Sequence, residues 1–197
     1  MGAAYGGHLA CVVRLPEAGA DPNNTADGGD TPLSLASGQG NAQIMDRLLL
    51  AGADVDARDT SGWTSLMHSC YSYEGHHVAA DRLIAVGAAI EQVNVKGNSA
   101  LHLAAQGGHL ACIRSLLAAG AEVDLQNGEG ATALSTAAFR GHLAVVDRLL
   151  EEGPRLDLGA DTGSALGCAA WGGHLACVVR LLEAGAARVY GSNVCGC

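Results

Sequence analysis

Apolar residues recur along the chain at helical spacing, in short stretches separated by polar loops. One such stretch is repeated about 33 residues further on: Leu110, Ile113, Leu116 and Leu117 become Leu143, Val146, Leu149 and Leu150. A shorter apolar segment precedes each stretch and opens with a hydroxyl residue that can cap a helix: Thr31, Thr64, Ser99, Thr132 or Ser164. Each stretch also ends at a glycine, which is typical of the residue after a helix. The pattern predicts pairs of short helices.

The predicted helix pair is a repeating unit. Residues 6–15 recur unchanged as residues 172–181. Glycines at the same place in each unit lie about 33 residues apart: Gly7, Gly40, Gly75, Gly108, Gly141 and Gly173. A fixed period predicts a solenoid, in which each unit buries its apolar face only against its neighbours.

These features together resemble the ankyrin repeat family, whose pattern is roughly D-x-x-G-x-T-P-L-H-x-A-A-x-x-G-H-L. Thr31-Pro32-Leu33, His102 and the Gly-His pairs carry the resemblance. It implies an all-α fold, an ankyrin-repeat solenoid of stacked antiparallel helix pairs with projecting β-hairpin-like loops. We expect it to cover residues 1–187 and to leave 188–197 as a C-terminal tail.

The expected boundaries divide the chain into a partial repeat and five full ones: 1–26, then 27–58, 59–93, 94–126, 127–158 and 159–187. The first lacks its loop, and Pro16 should end its second helix early. Two additional residues fall within 70–74, and the loop before Ser164 is one residue short. Because neither end has an evident polar capping repeat, the chain is either a segment of a longer array or an array whose ends fray.

Composition narrows the class of protein. No apolar stretch reaches roughly 18 residues, so we expect no membrane span. No secretion signal opens the chain, so we expect the protein in the cytoplasm or nucleus. We also expect a monomer. A net charge of −9 opposes nucleic-acid binding. Cys11, Cys112 and Cys177 share a position with Ile44 and Val145, which predicts apolar packing by reduced thiols. The terminal pair of cysteines in residues 195–197 is similar to a lipidation signal but lacks a polybasic stretch, which favours a chance tail.

The eight histidines raise the question of a metal or catalytic site. Five belong to the repeated Gly-His position: His8, His76, His109, His142 and His174. The resemblance implies that these five and His102 hydrogen-bond the loops and join neighbouring units; His68 and His77 fall outside that scheme. Zinc needs converging ligands, and no such set, phosphate loop or nucleophile motif is evident. We therefore predict no catalytic residue, metal or cofactor.

Positions that vary between units are the candidates for partner binding. Three residues before the repeated histidine, aromatic rings recur at Tyr5, Tyr73, Phe139 and Trp171. The resemblance places this position on the concave surface used for partners, and Trp63 matches another such position. With their polar neighbours they form the predicted partner-binding set: Tyr5, Asp30, Trp63, Tyr73, Glu74, Lys96, Asn98, Gln106, Phe139, Arg140 and Trp171.

The expected function is a non-enzymatic protein–protein interaction module that binds a partner protein through the concave face. Aromatic rings mixed with both charge signs suit a protein surface better than a nucleic acid. Two alternatives remain open. The rings can pack between adjacent repeats, or the chain can be an architectural or regulatory segment of a longer multidomain protein.

Overall fold

The computed structural model describes residues 21–158 and 163–185, which form ten α-helices. They are α1 (Pro32–Gly38), α2 (Ala42–Leu50), α3 (Ser65–Tyr71), α4 (His77–Ala85), α5 (Ala100–Gly107), α6 (Leu110–Ala118), α7 (Ala133–Arg140), α8 (Leu143–Leu150), α9 (Ala165–Trp171) and α10 (Leu175–Glu183). The expectations for Tyr5, Pro16, Cys11 and the tail lie outside the described residues.

Each odd-numbered helix begins at the residue that follows a Ser or Thr, as predicted from the sequence. Thr31, Thr64, Thr132 and Ser164 each accept a hydrogen bond from the backbone N–H three residues on. In α1 the bond is reciprocated, because Ser34 Oγ accepts from the Thr31 N–H at 3.0 Å. In α5 the equivalent place is taken by His102, whose Nδ1 lies 2.9 Å from Ser99 Oγ. A cap of this kind stabilises a helix by about 1 kcal/mol.

The helices stack in two rows, which confirms the all-α solenoid. Each odd-numbered helix packs on the next odd-numbered one, and each even-numbered helix packs on the next even-numbered one. Alanines such as Ala105 and Ala138 are fully buried between the odd-numbered helices, where their small side chains permit close approach. Ile44, Cys112 and Cys177, which share one position of the repeat, are at most 2% exposed. This burial confirms the prediction of apolar packing at that position.

The projecting loops are turns, and the described residues contain no β-strand. Within one loop the Asp59 N–H donates to the Trp63 carbonyl at 3.0 Å, and the Gly62 N–H donates to the Asp59 carbonyl at 2.9 Å. Backbone hydrogen bonds join the loops before α1, α3, α5 and α7 in succession, such as that from the Gly128 N–H to the Lys96 carbonyl at 2.9 Å. The described loops therefore contain the turn of a β-hairpin but do not form a β-sheet.

Consecutive units meet at the Gly-His position. A Cβ built on Gly108 would lie 2.6 Å from His142 Nδ1, so the histidine ring of one unit fills the space of the side chain missing from the unit before it. Gly108 also has a φ of 75°, which favours glycine. His142 Nε2 lies within hydrogen-bond distance, 3.2 Å, of the Gln106 carbonyl oxygen. The imidazole thereby joins two units, as the resemblance implied.

None of the ten helices in the described part of the chain is long and apolar enough to cross a lipid bilayer.

Replacing Gly108 by Ala should destabilise the protein more than replacing Gly120 by Ala. Both glycines have positive φ, so each substitution strains the backbone by about 1 kcal/mol. Gly120 has open space where the new methyl would lie, whereas at Gly108 the methyl would displace the His142 ring. Urea denaturation should show a free energy of unfolding at least about 1 kcal/mol lower for Gly108→Ala than for Gly120→Ala. Equal losses would contradict a structural role for the ring.

Acidification should weaken the fold in part through His102. Burial lowers the pKa of His102 below its usual 6.5, and the hydrogen bond to the Ala131 carbonyl opposes this only partly. The unfolded chain therefore binds the proton more readily, and the free energy of unfolding falls as the pH drops below about 6.5.

The matched variant is His102→Ser, because Ser34 and Ser135 occupy the same place in other units. Denaturation at pH 7 and pH 5 should show a smaller decline for the variant than for the natural chain. A decline of the same size in both would show that His102 does not contribute.

Candidate functional site

A groove of about 340 Å³ lies on the row of odd-numbered helices, across α5, α7 and α9. Its walls are the loops before α5 and α7 and the exposed sides of the three helices. The lining residues are Lys96, Asn98, Gln106, Asn127, Glu129, Ala131, Ser135, Thr136, Phe139, Arg140, Cys168 and Trp171. Polar and charged side chains come mainly from the loops, and the aromatic rings come from the helices.

Phe139 and Trp171 form an exposed aromatic pair at the ends of α7 and α9. Their rings meet edge to face, with centroids 6.0 Å apart and an interplanar angle of 69°. Phe139 is nevertheless 40% exposed and Trp171 75% exposed. The rings therefore contact each other between units and still face solvent, so the two sequence-based alternatives for them are compatible. Exposed aromatic side chains of this kind are typical of binding hot spots.

The charged side chains of the groove are Lys96, Glu129 and Arg140. The Arg140 guanidinium lies over the Phe139 ring, 5.9 Å from its centroid. None of the three charges belongs to an ion pair within the part of the chain that the structure describes. The groove thus has two positive charges and one negative charge, in a chain whose net charge is −9.

Hydrogen bonds fix the loops that carry these charges. Asn127 Nδ2 donates to Asn98 Oδ1 at 2.8 Å, which joins two consecutive loops. Asn127 Oδ1 accepts from the backbone N–H groups of Glu129 at 3.0 Å and Ala131 at 2.9 Å. Because the loop backbone is held at several points, the groove is preorganised, and its ordering cost on binding is low.

A second group of side chains, which we term the Trp63 cluster, comprises Asp30, Asp59, Trp63, His68 and Tyr71. Trp63 is half-buried and packs on the core. Its ring centroid lies 5.2 Å from that of His68 and 5.1 Å from that of Tyr71. His68 in turn faces the carboxylates of Asp30 and Asp59. The cluster therefore lies on the same row of helices as the groove, around the loops before α1 and α3.

The structure separates the predicted partner-binding residues into three places. Six of them line the groove: Lys96, Asn98, Gln106, Phe139, Arg140 and Trp171. Asp30 and Trp63 belong to the Trp63 cluster. Tyr73 and Glu74 are exposed in the turn between α3 and α4, and Tyr5 lies outside the described residues.

The helix position assigned to Tyr73 is wrong. Helix α3 ends at Tyr71, and the two additional residues of this unit follow the helix, so counting back from His76 reaches the turn. Counting forward from the capping residue Thr64 instead makes Tyr71 the equivalent of Phe139 and Trp171. Six lining residues lie outside the predicted set: Asn127, Glu129, Ala131, Ser135, Thr136 and Cys168. Thr136 and Cys168 each lie four residues after a capping residue, at a position that varies between units.

Helix pairs that repeat and stack in two rows, with a groove on one row, define a repeat solenoid. The chain belongs to the ankyrin repeat family. The family model described as "Ankyrin repeats (3 copies)" matches four overlapping segments, residues 1–94, 47–127, 70–158 and 101–190. Ankyrin repeats are generally protein-interaction modules.

Parts of the chain are similar to parts of much longer proteins. The chain is 36% identical to the E3 ubiquitin-protein ligase XBAT33 of Arabidopsis thaliana over 92 residues, 46% of this chain and 18% of the relative. It is 35% identical to Ankyrin repeat and SOCS box protein 16 of Homo sapiens over 107 residues, 51% of this chain and 24% of the relative. It is also 34% identical to SH3 and multiple ankyrin repeat domains protein 1 of Homo sapiens over 104 residues, 51% of this chain and 5% of the relative. The chain thus spans at most 24% of these three proteins.

Proposed function

We propose that the protein is a non-enzymatic interaction module that binds a segment of a partner protein on the concave face of the solenoid, in the groove. The observation that carries the proposal is the exposed Phe139–Trp171 pair beside two cations, Lys96 and Arg140, that have no ion-pair partner among the described residues. The family supports protein binding in general, and the groove is the location that we propose for it.

The aromatic pair would supply the anchor. An aromatic side chain buries about 150–250 Å² when a partner covers it. At about 25 cal/mol per Å², covering the exposed three quarters of Trp171 contributes roughly 3–5 kcal/mol. This gain offsets part of the cost of association, which a preorganised groove keeps low. An apolar side chain of the partner that packs on Trp171 is therefore the expected centre of the interface.

The charges would select the partner. Lys96 and Arg140 provide two cations beside the anchor, and Glu129 provides one anion. A segment that carries Asp or Glu on either side of an apolar residue complements this arrangement, whereas a basic segment would leave both cations facing like charge. The contribution of such rim charges decreases with salt. We therefore propose an acidic peptide segment with an apolar anchor as the ligand.

The relatives support a second, compatible role. The aligned regions make up only a small part of proteins named as E3 ubiquitin-protein ligases and a SOCS box protein. In a longer protein of this kind, an ankyrin segment would act as an architectural or regulatory part that holds a partner beside another domain. Sequencing the full-length transcript tests this role, because an adjoining domain in the reading frame is required.

Replacing Trp171 by Ala should strongly weaken binding of the groove's ligand. Random linear peptides displayed on phage are selected against the full chain, and the Kd of the enriched peptides is measured by fluorescence anisotropy. We expect acidic peptides with an apolar residue, whose affinity falls by about 30-fold or more in Trp171→Ala. Arg140→Glu should weaken the same peptides, and the loss should be largest at low salt.

The matched control is Leu50→Ala, which removes another exposed apolar side chain, on α2 and outside the groove. It should leave the affinity unchanged. Circular dichroism should show the same helix content in all three variants, because Trp171, Arg140 and Leu50 are all exposed. Enriched peptides that bind Trp171→Ala and Arg140→Glu as tightly as the natural chain would refute the proposal.

A further inference from the structure

Three metal-ligating side chains converge in the Trp63 cluster. Asp30, Asp59 and His68 each offer one ligand atom, and the three atoms lie within 4.8 Å of one another. His68 Nε2 is 3.4 Å from Asp59 Oδ2 and 3.8 Å from Asp30 Oδ1. The three residues come from two consecutive loops and from α3, so stacking of two units assembles the set.

The imidazole nitrogen at the centre of this set is buried without a hydrogen bond. His68 Nε2 is inaccessible to solvent and has no hydrogen-bond partner among the described residues. It lies 3.4 Å from an Asp59 oxygen and 3.8 Å from an Asp30 oxygen but makes no hydrogen bond to either, although the His68 side chain as a whole is 26% exposed. A buried nitrogen normally finds a partner, so an electron-pair acceptor between the nitrogen and the carboxylates would complete the arrangement.

The neighbouring contacts hold two of the side chains in place. Asp59 Oδ1 accepts from the backbone N–H groups of Ser61 and Trp63, each at 2.8 Å, which leaves Oδ2 directed towards His68. The Trp63 ring lies against the His68 ring. Hydrogen bonds of the kind made by Asp59 orient ligating carboxylates in metal sites.

We infer that Asp30, Asp59 and His68 form a binding site for one divalent transition-metal ion, of which Zn²⁺ fits best. Zinc binds imidazole nitrogen and carboxylate oxygen at about 2.0–2.2 Å. Tetrahedral ligands at that radius are roughly 3.4 Å apart, close to the two separations of 3.4 and 3.8 Å. Three protein ligands leave a fourth position for water. Imidazole with oxygen ligands favours such an ion over Mg²⁺ or Ca²⁺.

This ligand set belongs to one pair of units and is not a feature of every repeat. Leu103 and Thr136 stand where His68 does in other units, four residues after the capping residue. Asn98 and Ala131 stand in place of Asp30. The sequence-based expectation of no metal site rested on the absence of an evident ligand motif along the chain, whereas this set converges only through stacking.

The test uses the full chain, stripped of metal with a chelator and titrated with ZnCl₂ against a chromophoric chelator. Because cysteines also bind zinc, the site is identified by difference between variants. His68→Gln should bind one equivalent less than the natural chain, and Asp30→Asn should bind that equivalent at least about tenfold more weakly. Asp59 is left unchanged because its carboxylate also holds the loop. His77→Gln is the matched control, since His77 is exposed and outside the cluster.

Two further measurements separate this site from thiols and from folding defects. The Co²⁺ spectrum of the equivalent lost in His68→Gln should lack the charge-transfer bands of cobalt–thiolate bonds. Zn²⁺ should raise the Tm of the natural chain more than that of His68→Gln, while circular dichroism shows equal helix content without metal. The inference is overturned if His68→Gln and Asp30→Asn both bind zinc with the stoichiometry and affinity of the natural chain.

Discussion

The contact of a histidine ring with the glycine of the preceding unit is the interaction on which the rest of the structure depends. A helix pair this short cannot bury its apolar residues alone, so each unit needs a neighbour at a fixed distance. The ring of His142 fills the space beside Gly108, and its hydrogen bond to the Gln106 carbonyl fixes its orientation. The same arrangement joins Gly40 to His76. Glycine and histidine thus set the spacing at which everything else must pack.

Because the units stack at a fixed spacing, side chains at the variable positions of neighbouring units come into contact. Phe139 and Trp171 occupy equivalent helix positions, and their rings meet because stacked units bring those positions together. The hydrogen bond between Asn98 and Asn127 also crosses a unit boundary, although the two residues occupy different positions of their loops. Contacts between side chains of neighbouring units therefore depend on the fixed spacing of the units.

The local part of the fold could be predicted from the sequence, and the convergence of side chains could not. Capping residues such as Thr132 and buried positions such as Ile44 follow from short-range patterns, because a cap needs only the next three residues and a packing position repeats. The position of Tyr73 was predicted wrongly because the two additional residues of its unit follow α3. Counting back from His76 therefore reaches the turn, whereas counting forward from Thr64 reaches the helix. The approach of Asp30 to His68 depends on stacking between units, which a pattern within one unit does not contain.

The row of odd-numbered helices carries two different chemistries on one scaffold. Around Trp63, Asp30, Asp59 and His68 supply two carboxylates and an imidazole. Around Trp171, they supply Lys96 and Arg140 beside exposed rings. The two regions lie on adjacent units, and the Val95 N–H donates to the Ser61 carbonyl at 3.0 Å between the loop that carries Asp59 and the loop that carries Lys96. Because neighbouring units contact each other directly, ligand binding at the groove and metal binding at the Trp63 cluster are not expected to be strictly additive.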